Sequence, residues 1–400
     1  MLNLPEGAKL YLVGGAVRDN LRGMNPHDKD YMITGADPDE LPFEKVAGSD
    51  FPVFIVEIDG VKCEVALARA EEKVGVGHKG FVFKTGKDVT VEEDLKRRDL
   101  TINAMAVDLE SSLLIDPYGG QEDIKNRILR HVSPAFAEDP LRVLRVARFA
   151  AHFGYTIAPE TLELMRSLKD ELTSLSAERV WQETAKALML PRPSKYFKVL
   201  DYVDALEVLF PEIKALQVPD KHDGTAFNHT MNLIDIGCNM KNTFALLTHD
   251  FGKGATDPEK HPAHIMHEHF GPDIVRSFCE RLKVPNELRD FGALCAKEHM
   301  RAKCALQMKD KTFVKWVLGL GDNFNDAFYI SYYDSRYREG ADVEEENAKK
   351  LLVAKRAQRV FEAAKKVTGQ TLIDEGCALT GKEFGNELMR RRIQAFRREE

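Results

Sequence analysis

The stretch Leu10-Tyr-Leu-Val-Gly-Gly-Ala-Val-Arg-Asp19 decides how the first part of this chain folds. Its apolar run from Tyr11 to Val13 predicts a buried strand that ends on two glycines. The residues after the glycines carry Val17 and Leu21 at helical spacing, so we expect strand, glycine turn and helix in succession. The N–H groups of such a turn and of the helix start point toward one place, which suits a phosphate group.

A second short strand, Tyr31-Met-Ile33, follows and is entered through Asp28 and Asp30. Alternate residues of an extended chain share a face, so both carboxylates point the same way. Two anions side by side repel unless a cation lies between them, and Mg²⁺ favours such a site when substrate phosphates supply further oxygens. The two motifs together suggest a metal-dependent nucleotidyl-transfer site. The other interpretation of Asp-x-Asp is a solvated surface loop.

The composition limits the class of protein. Four hundred residues predict two to three domains, and 64 acidic against 57 basic residues, a net charge of −7, argue against general coating of nucleic acid. A local basic path stays compatible with that charge. We find no apolar run near the ~18 residues of a membrane span and no secretory signal, so we expect a cytoplasmic chain without membrane contact. The six cysteines form no Cys-x-x-Cys motif, which favours reduced thiols.

Further strands are expected at 50–56 and 61–67. Glu64 lies in the second of them and would reach the two aspartates if that strand is their neighbour; otherwise it faces solvent. Residues 70–90 carry four glycines among charged residues and predict a mobile loop.

Arginines dominate the next two motifs. In the segment 93–104, Arg98 either belongs to a solvated face or clamps a triphosphate. From Asp139, the expected N-cap, and Pro140, the chain becomes helical. A stripe of arginines then recurs every third residue: Arg142, Arg145 and Arg148. Surface salt bridges and contact with phosphate or nucleobase are both compatible with this stripe.

Five motifs occur in a fixed order along the first half of the chain. They are Gly14-Gly-Ala-Val-Arg-Asp19, Asp28-Lys-Asp30, Arg97-Arg-Asp-Leu-Thr-Ile-Asn-Ala104, Glu138-Asp-Pro-Leu-Arg142 and Glu178-Arg-Val-Trp-Gln-Glu183. The set resembles the class II bacterial tRNA nucleotidyltransferases, the CCA-adding enzymes. This resemblance implies an α+β fold, with a polymerase-beta-like head built on a small mixed sheet and an all-helical neck, body and tail. The expected domains are the head at 1–137, the neck and body at 138–215, an HD phosphohydrolase-like domain at 226–327 and the tail at 328–400.

The resemblance also implies roles for individual residues. Asp28 and Asp30 would hold two Mg²⁺ ions, of which one activates the tRNA 3′-hydroxyl and the other assists pyrophosphate departure. The nucleotide would be held by Gly15, Arg18 and Arg98. Asp139 and Arg142 would read the base edge of CTP or ATP, and the pocket would be lined by Arg145 and Arg148. The nucleic-acid partner would be the 3′ end and acceptor arm of tRNA.

Alternatives to a CCA-adding enzyme are a CC-adding enzyme, an A-adding enzyme and a poly(A) polymerase. Poly(A) polymerases carry a Gly-Arg-Arg-Phe-like segment after the Asp-x-Asp strand, whereas here Gly48-Ser-Asp-Phe-Pro-Val-Phe54 is similar to the CCA-adding enzymes. An alternative of another class is an RNA-binding or regulatory HD protein with an inactive head. The intact Asp28/Asp30 pair and the Asp139/Arg142 pair argue against it.

The second half concentrates histidines: seven of the twelve lie from 222 to 269. Imidazole and carboxylate ligands together suit a transition metal such as Ni²⁺ more than magnesium. The motif His249-Asp-Phe-Gly-Lys-Gly254 resembles the HD phosphohydrolases, and the HD-bearing subgroup of CCA-adding enzymes has phosphatase, 2′-nucleotidase and 2′,3′-cyclic phosphodiesterase activities. The expected metal ligands are His229, His249, Asp250 and His267. A closing acidic ligand is expected near Glu298-His-Met300, where Met300 stands in its place.

The tail is expected to begin with one long charged helix over 343–367, with Gly369 as its stop. The arginine-rich run within 387–398 is either a solvated helix end or a contact to the phosphates of the acceptor arm. Monomer and homodimer both stay open.

Overall fold

The computed structural model describes residues 4–26, 28–47, 53–58, 60–73, 81–221, 223–338 and 340–398. The chain divides into two compact units. The first comprises Met1–Ala187 with Lys195–Leu209, and the second comprises Leu188–Ser194 with Phe210–Glu400. Within the described residues, every strand lies in the first unit, while the second is built from helices and their connections.

The strands follow one another along the first part of the chain. They are β1 (Lys9–Val13), β2 (Asp30–Thr34), β3 (Glu44–Ala47), β4 (Val53–Ile58), β5 (Val61–Leu67), β6 (Arg69–Lys73), β7 (Phe81–Thr85), β8 (Ala106–Asp108), β9 (Leu114–Ile115), β10 (Ile128–Leu129) and β11 (Thr156–Ile157). Among the described residues, seven of them form one mixed sheet in the order β3-β4-β5-β2-β1-β8-β9. The β2–β5 pair is parallel and the other neighbours are antiparallel.

Both faces of the central strands are covered. Leu12 of β1 packs in one core cluster with Ile33 of β2, whereas Val13 packs in another cluster with Met32. Successive side chains of a strand point to opposite faces, so a strand buried on both faces reads as a continuous apolar run. The strand predicted at Tyr11 to Val13 is therefore confirmed, as is the mixed sheet.

The prediction of a mobile loop at 70–90 is wrong where β6 and β7 pair. These strands form an antiparallel ladder from Arg69 opposite Thr85 to Lys73 opposite Phe81. Three of the four glycines fall between the two strands, at positions 74–80, which lie outside the described residues. The paired segments themselves contain no glycine, and glycine weakens strand interiors, so they are compatible with a ladder. The earlier part of the expected strand at 50–56, up to residue 52, also lies outside the described residues.

Helices make up most of the rest. They are α1 (Gly15–Leu21), α2 (Val91–Lys96), α3 (Gly120–Asn126), α4 (Leu141–Phe153), α5 (Pro159–Ser167), α6 (Ala177–Leu188), α7 (Ser194–Tyr202), α8 (Leu206–Leu209), α9 (Pro211–Lys214), α10 (Ala226–Ile234), α11 (Met240–Thr248), α12 (His267–Leu282), α13 (Asn286–Lys303), α14 (Asp310–Leu320), α15 (Phe324–Arg336), α16 (Val343–Lys366), α17 (Gly369–Asp374) and α18 (Gly381–Arg398). None of the described helices is long and apolar enough to span a membrane.

One predicted helix start differs from the structure by one residue, and one predicted long helix is present. Pro140 is the N-cap of α4, one residue after the predicted cap, while an oxygen of Asp139 accepts the N–H of Leu141 at 3.1 Å. The long charged helix is confirmed as α16, which ends at Lys366. In the second unit, α14, α16 and α18 share a core that includes Phe313, Val360 and Phe396.

Candidate functional site

The glycine turn and the aspartate pair of the first unit lie side by side. β1 ends at Val13, and Gly14 turns the chain into α1 with a φ of 68°. Val13 is paired in register with Asp30, the first residue of β2. Asp28 lies two residues earlier, and both carboxylates are exposed. The sheet thus places the carboxylate pair next to the turn.

Glu64 joins this edge of the sheet. β5 runs parallel to β2, with Val65 paired to Tyr31, so Glu64 and Asp30 each precede a residue of the same pair. The strand of Glu64 is therefore the neighbour of the strand of Asp30, which was one of the two possibilities that the sequence allowed. The Glu64 side chain is exposed. The three carboxylates offer oxygen ligands alone, the donor type that Mg²⁺ prefers. This set of donors fits a magnesium site.

Arg18 and Arg98 approach the glycine turn closely. A Cβ on Gly14 would lie 2.8 Å from Nη1 of Arg98, and a Cβ on Gly15 would lie 3.4 Å from Nη2 of Arg18. Gly14 also needs its positive φ, which side chains other than glycine rarely adopt. The structure therefore brings both arginines and the turn together, and a Cβ at Gly14 would displace Arg98.

Arg98 is oriented by a buried carboxylate. Asp94 of α2 accepts from Nη2 of Arg98 at 3.0 Å and from Nη2 of Arg97 at 2.7 Å. Burial raises the pKa of Asp94, but the two guanidinium groups outweigh it and hold the pKa below its usual value. Asp94 therefore stays ionised and fixes Arg98 beside the turn.

A continuous set of polar contacts joins the turn to the arginine stripe. Its members, in order, are Arg18, Asn103, Asp99, Arg145, Glu183 and Arg148. Arg145 donates to Asp99 at 2.8 Å, and Arg148 donates to Glu183 at 2.6 Å. Burial raises the pKa of Asp99, whereas Arg145 and further hydrogen bonds lower it more strongly. Arg145 and Arg148, two of the three arginines of the stripe, therefore have buried acidic partners.

Sequence reasoning assigned no role to Asn103, Asp99 or Glu183. All three stand inside motifs that the resemblance rests on, at 97–104 and 178–183, and that was the available signal. That these three side chains contact arginines becomes clear only from the structure, in which α4 and α6 belong to one unit.

Asp139 and Arg142 are held at the start of α4. Asp139 accepts from Nη2 of Arg179 at 2.7 Å, and Arg142 donates to the carbonyl oxygens of Ala135 and Arg97, the latter at 2.7 Å. Each side chain is thus oriented by a partner from another segment. Arg179 lies in the motif at 178–183 and was not singled out by sequence reasoning.

The second unit contains a cluster of buried imidazoles and carboxylates. We call it the histidine cluster; its members are His229, His249, Asp250, His267, His299 and Asp334. Within the described residues it comprises two overlapping groups that share Asp250, and in each group the potential ligand atoms lie within 4.8 Å of one another. The structure thus brings the four predicted ligands together and adds two more.

Three of the four imidazole rings in the cluster bond a backbone carbonyl through Nδ1 and turn Nε2 toward the cluster. Nδ1 lies 2.8 Å from the carbonyl oxygen of Leu246 in His249, 2.8 Å from that of His264 in His267, and 3.0 Å from that of Ala296 in His299. A carbonyl only accepts, so each of these Nδ1 atoms carries a proton and leaves Nε2 as the nitrogen that can coordinate a metal. A ring oriented through its Nδ1–H in this way is typical of metal-ligating histidines.

Asp250 lies between these nitrogens. Its Oδ1 is 3.3 Å from Nε2 of His267, and its Oδ2 is 3.2 Å from Nε2 of His249. Nε2 of His249 and both oxygens of Asp250 are buried and lack a hydrogen-bond partner of suitable geometry among the described residues. Buried polar atoms without partners are costly, so the cluster fits a bound cation.

The later acidic residue that joins this cluster is Asp334 of α15, whereas the residues near Met300 contribute His299 and no carboxylate. Asp334 Oδ1 lies 3.0 Å from Nε2 of His229. Glu298 instead accepts from the indole of Trp316 at 3.0 Å, and α13 contributes His299 to the cluster. α15 packs against α13, so a residue much later in the chain reaches the same place. Sequence spacing carried no signal for this.

The carboxylates of the cluster shift the pKa values of the histidines unequally, and a lysine also lies beside them. Burial lowers the pKa of His229, but Asp223 and Asp334 outweigh it and raise the pKa to about 9. Burial lowers the pKa of His299 to about 4. Lys253 lies 2.7 Å from Asp220 and 2.8 Å from Asp250, so a buried ammonium group also faces the shared carboxylate.

Close packing against α12 explains why position 252 of the His249-Asp-Phe-Gly-Lys-Gly254 motif is a glycine. A Cβ there would lie 1.9 Å from the carbonyl oxygen of His267. Only a glycine lets this turn pack against the start of α12. The neighbouring His264 is not among the clustered ligands, because it bonds Thr256 and the carbonyl of Pro219.

Comparison with known proteins gives consistent matches. Residues 10–130 match the family of the poly A polymerase head domain, and residues 154–217 match that of the probable RNA and SrmB-binding site of polymerase A. The chain is 41% identical to the multifunctional CCA protein of Vibrio vulnificus, over 97% of this chain and 98% of that one. It is 44% identical to that of Cupriavidus metallidurans, over 89% and 91%.

Solved structures share the fold. The Bacillus stearothermophilus CCA-adding enzyme in complex with CTP aligns with a TM-score of 0.68 and 23% identity, covering 98% of this chain and 90% of that one. The Thermotoga maritima CCA-adding enzyme complexed with tRNA aligns with a TM-score of 0.63 and 21% identity, covering 97% and 87%.

Proposed function

Because the chain belongs to the multifunctional CCA protein family and is a CCA-adding tRNA nucleotidyltransferase, we propose that Asp28 and Asp30 are its catalytic residues. They would hold Mg²⁺ in a two-metal mechanism, with Glu64 as the neighbouring carboxylate. The observation that carries this assignment is the register of Asp30 opposite Val13, which sets the carboxylates beside the glycine turn. Bound magnesium would neutralise triphosphate charge and activate the tRNA 3′-hydroxyl.

Gly15, Arg18 and Arg98 would bind the triphosphate of CTP or ATP. Guanidinium groups form strong charge-assisted hydrogen bonds to phosphate oxygens. Asp94 and Asn103 hold the two arginines in place, which lowers the cost of ordering them when the nucleotide binds.

Asp139 and Arg142 would read the base. Arginine offers donors in a fixed fork and aspartate offers acceptors, so together they can match a Watson–Crick edge. Arg145 and Arg148 would line the same pocket while they remain paired to Asp99 and Glu183. A wrong base leaves buried polar groups unpaired, and that would reject UTP and GTP.

The test offers tRNA lacking its last three nucleotides to the protein with Mg²⁺ and each labelled nucleotide, singly and in pairs. We expect two C residues and then one A, and no addition by the Asp28→Ala/Asp30→Ala variant. Stopping after two C residues would indicate a CC-adding enzyme, and a long A tract would indicate a poly(A) polymerase. Tight tRNA binding without any addition would indicate an inactive head.

A second activity is favoured by the histidine cluster. We propose that it binds divalent transition metal, such as Ni²⁺, and acts as a phosphatase, 2′-nucleotidase and 2′,3′-cyclic phosphodiesterase. One metal position would be held by His229, His249, Asp250 and Asp334, and the other by Asp250, His267 and His299. A bound metal would lower the pKa of water and neutralise phosphate charge. The convergence of the Nε2 atoms on Asp250 carries this proposal.

Phosphate release from 2′,3′-cyclic nucleotides and phosphate monoesters, measured across Ni²⁺, Co²⁺, Mn²⁺ and Mg²⁺, tests this activity. We expect His249→Ala to lose it and to retain nucleotide addition. A wild-type protein without metal-stimulated release would refute the phosphohydrolase.

The family membership also motivates proposals about organisation and location. We propose a head at 1–137 and a neck and body at 138–215, as expected from the sequence. The HD domain would begin at 226 and run past its expected end at 327 to include Asp334, so that the tail begins after Asp334 and ends at 400. A cytoplasmic enzyme that is a monomer or homodimer follows from the same membership. In the tail, Arg390 and Arg391 pair with Glu387, so the basic run would need to exchange these partners to contact an acceptor arm.

A further inference from the structure

Four tyrosines form a continuous face along α15 and its C-cap. We call this the tyrosine face; its members are Tyr329, Tyr332, Tyr333 and Tyr337. The ring centroids of Tyr329 and Tyr333 are 4.3 Å apart, and those of Tyr333 and Tyr337 are 5.6 Å apart. Tyr337 at the end of this series is 40% exposed. A ring that is supported on one side and open to solvent on another can accept a further planar group.

The tyrosine face adjoins the histidine cluster. Asp334, Tyr337 and Arg338 follow one another at i, i+3 and i+4, so they lie on the same side of the chain. Arg338 donates to Asp334 at 2.9 Å, and Nζ of Lys303 lies 2.6 Å from the other oxygen. Asp334 is fully buried, whereas the Arg338 and Lys303 side chains are 24% and 19% exposed. These two cations therefore lie between the cluster and solvent.

Further positive charge surrounds the rings. The guanidinium carbon of Arg336 is 5.5 Å from the centroid of Tyr337, and Nζ of Lys350 is 4.3 Å from that of Tyr332. Alternation of aromatic rings and cations is how proteins bind single nucleotides and RNA ends, since rings stack on bases and cations pair with phosphates. An apolar or cationic ligand would not use these cations.

We propose that the tyrosine face is a nucleoside-binding subsite for the histidine cluster. The base of a nucleoside phosphate stacks on Tyr337, supported by Tyr333, while Arg338 and Lys303 receive its phosphate at the entrance of the cluster. This inference rests on the proposed phosphohydrolase function and adds to it the residues that would bind the base of a nucleotide substrate. A free nucleotide and the 3′ end of an RNA share that chemistry.

The test compares two phosphate monoesters of secondary alcohols that differ in the base. Phosphate release from adenosine 2′-phosphate and from glycerol 2-phosphate is measured with the Ni²⁺-loaded full chain. In Tyr337→Leu, the ratio of kcat/KM for the nucleotide to kcat/KM for glycerol 2-phosphate falls about tenfold, mainly through KM, because base stacking is lost. Tyr337→Phe keeps the wild-type ratio. Tyr202→Leu, which changes an exposed tyrosine of the first unit, is the control.

An unchanged ratio in Tyr337→Leu, or an equal fall in Tyr202→Leu, would overturn the subsite. If wild-type protein hydrolyses neither ester, the phosphohydrolase fails, and equilibrium dialysis of adenosine 2′-phosphate then decides the inference alone. A weaker affinity in Tyr337→Leu supports the subsite, and equal affinities refute it. The kinetics are then repeated with tRNA that ends in a 2′-phosphate. If Tyr337→Leu lowers kcat/KM more for this tRNA than for adenosine 2′-phosphate, the subsite prefers an RNA end; if it lowers kcat/KM more for adenosine 2′-phosphate, the subsite prefers a free nucleotide.

Discussion

Nε2 of His267 lies 3.0 Å from Nε2 of His299, although the Nδ1 of each ring lies against a backbone carbonyl. Each Nδ1 therefore carries a proton, so the two Nε2 atoms can approach this closely only with a proton or a metal cation between them. A metal ion would take the place of that proton. Asp250 borders the same space at 3.3 Å from His267 and 3.5 Å from His299.

We therefore expect the His267→Asn/His299→Gln variant to lose about half of the transition metal that saturated wild-type protein retains, because one of two ligand groups is removed. Metal content after dialysis against Ni²⁺, measured by plasma mass spectrometry, gives the comparison. His261→Asn is the control, since His261 bonds Thr256 outside the cluster. Equal metal content in all three proteins would contradict the assignment.

Gly252→Ala is expected to destabilise the second unit by about 1–3 kcal/mol and to lower phosphate release, because its Cβ would overlap the carbonyl oxygen of His267. Gly319→Ala is the matched control. Its Cβ would meet nothing within 4 Å, and alanine favours the α14 helix by about 1 kcal/mol. Urea unfolding followed by Trp316 fluorescence in a Trp181→Phe background measures both. A Gly252→Ala protein as stable as wild type would show that the turn can move.

Arg98→Gln is expected to raise the KM for CTP and ATP by about tenfold or more, since a charge-assisted hydrogen bond to phosphate is lost. Arg97→Gln provides the comparison because Arg97 shares the same carboxylate, Asp94, but Arg98 is the one that approaches Gly14. Steady-state incorporation kinetics with fixed tRNA distinguish the two variants. Equal effects would mean that Asp94, rather than the triphosphate, is the relevant partner of Arg98.

The contact between Asp99 and Arg145 predicts a pH-dependent stability. The folded pKa of Asp99 lies below its ordinary value, so its contribution is present at neutral pH and is lost as the pH falls through that lowered pKa. We expect Asp99→Asn to cost about 2 kcal/mol at pH 7, below the 3–5 kcal/mol typical of fully buried pairs because Arg145 is partly exposed. The difference from wild type should shrink below pH about 4.

Urea unfolding followed by Trp181 fluorescence in a Trp316→Phe background measures that difference in the first unit. Asp39→Asn, an exposed substitution, should show no such pH dependence. A constant difference between wild type and Asp99→Asn from pH 7 to pH 3.5 would exclude the ion pair as its cause.

The sequence by itself determined the local arrangements in this protein. The apolar run before Gly14 specifies a strand buried on both faces, and the spacing of Asp28 and Asp30 puts two carboxylates at the start of the next strand. The pair His249-Asp250 and the glycines around it predict a metal site for the same reason. In each case the residues involved are close in the chain, so backbone periodicity alone relates their side chains.

Only the tertiary structure decided which distant residues complete each site. Glu64 comes to Asp30 because β5 pairs in parallel with β2, and Asp334 comes to His229 because α15 packs against α13. The partners of the arginine stripe were also undetermined, since a guanidinium group pairs equally well with any nearby acid. Contacts between segments far apart in sequence depend on how elements pack, and no local period of the chain encodes that packing.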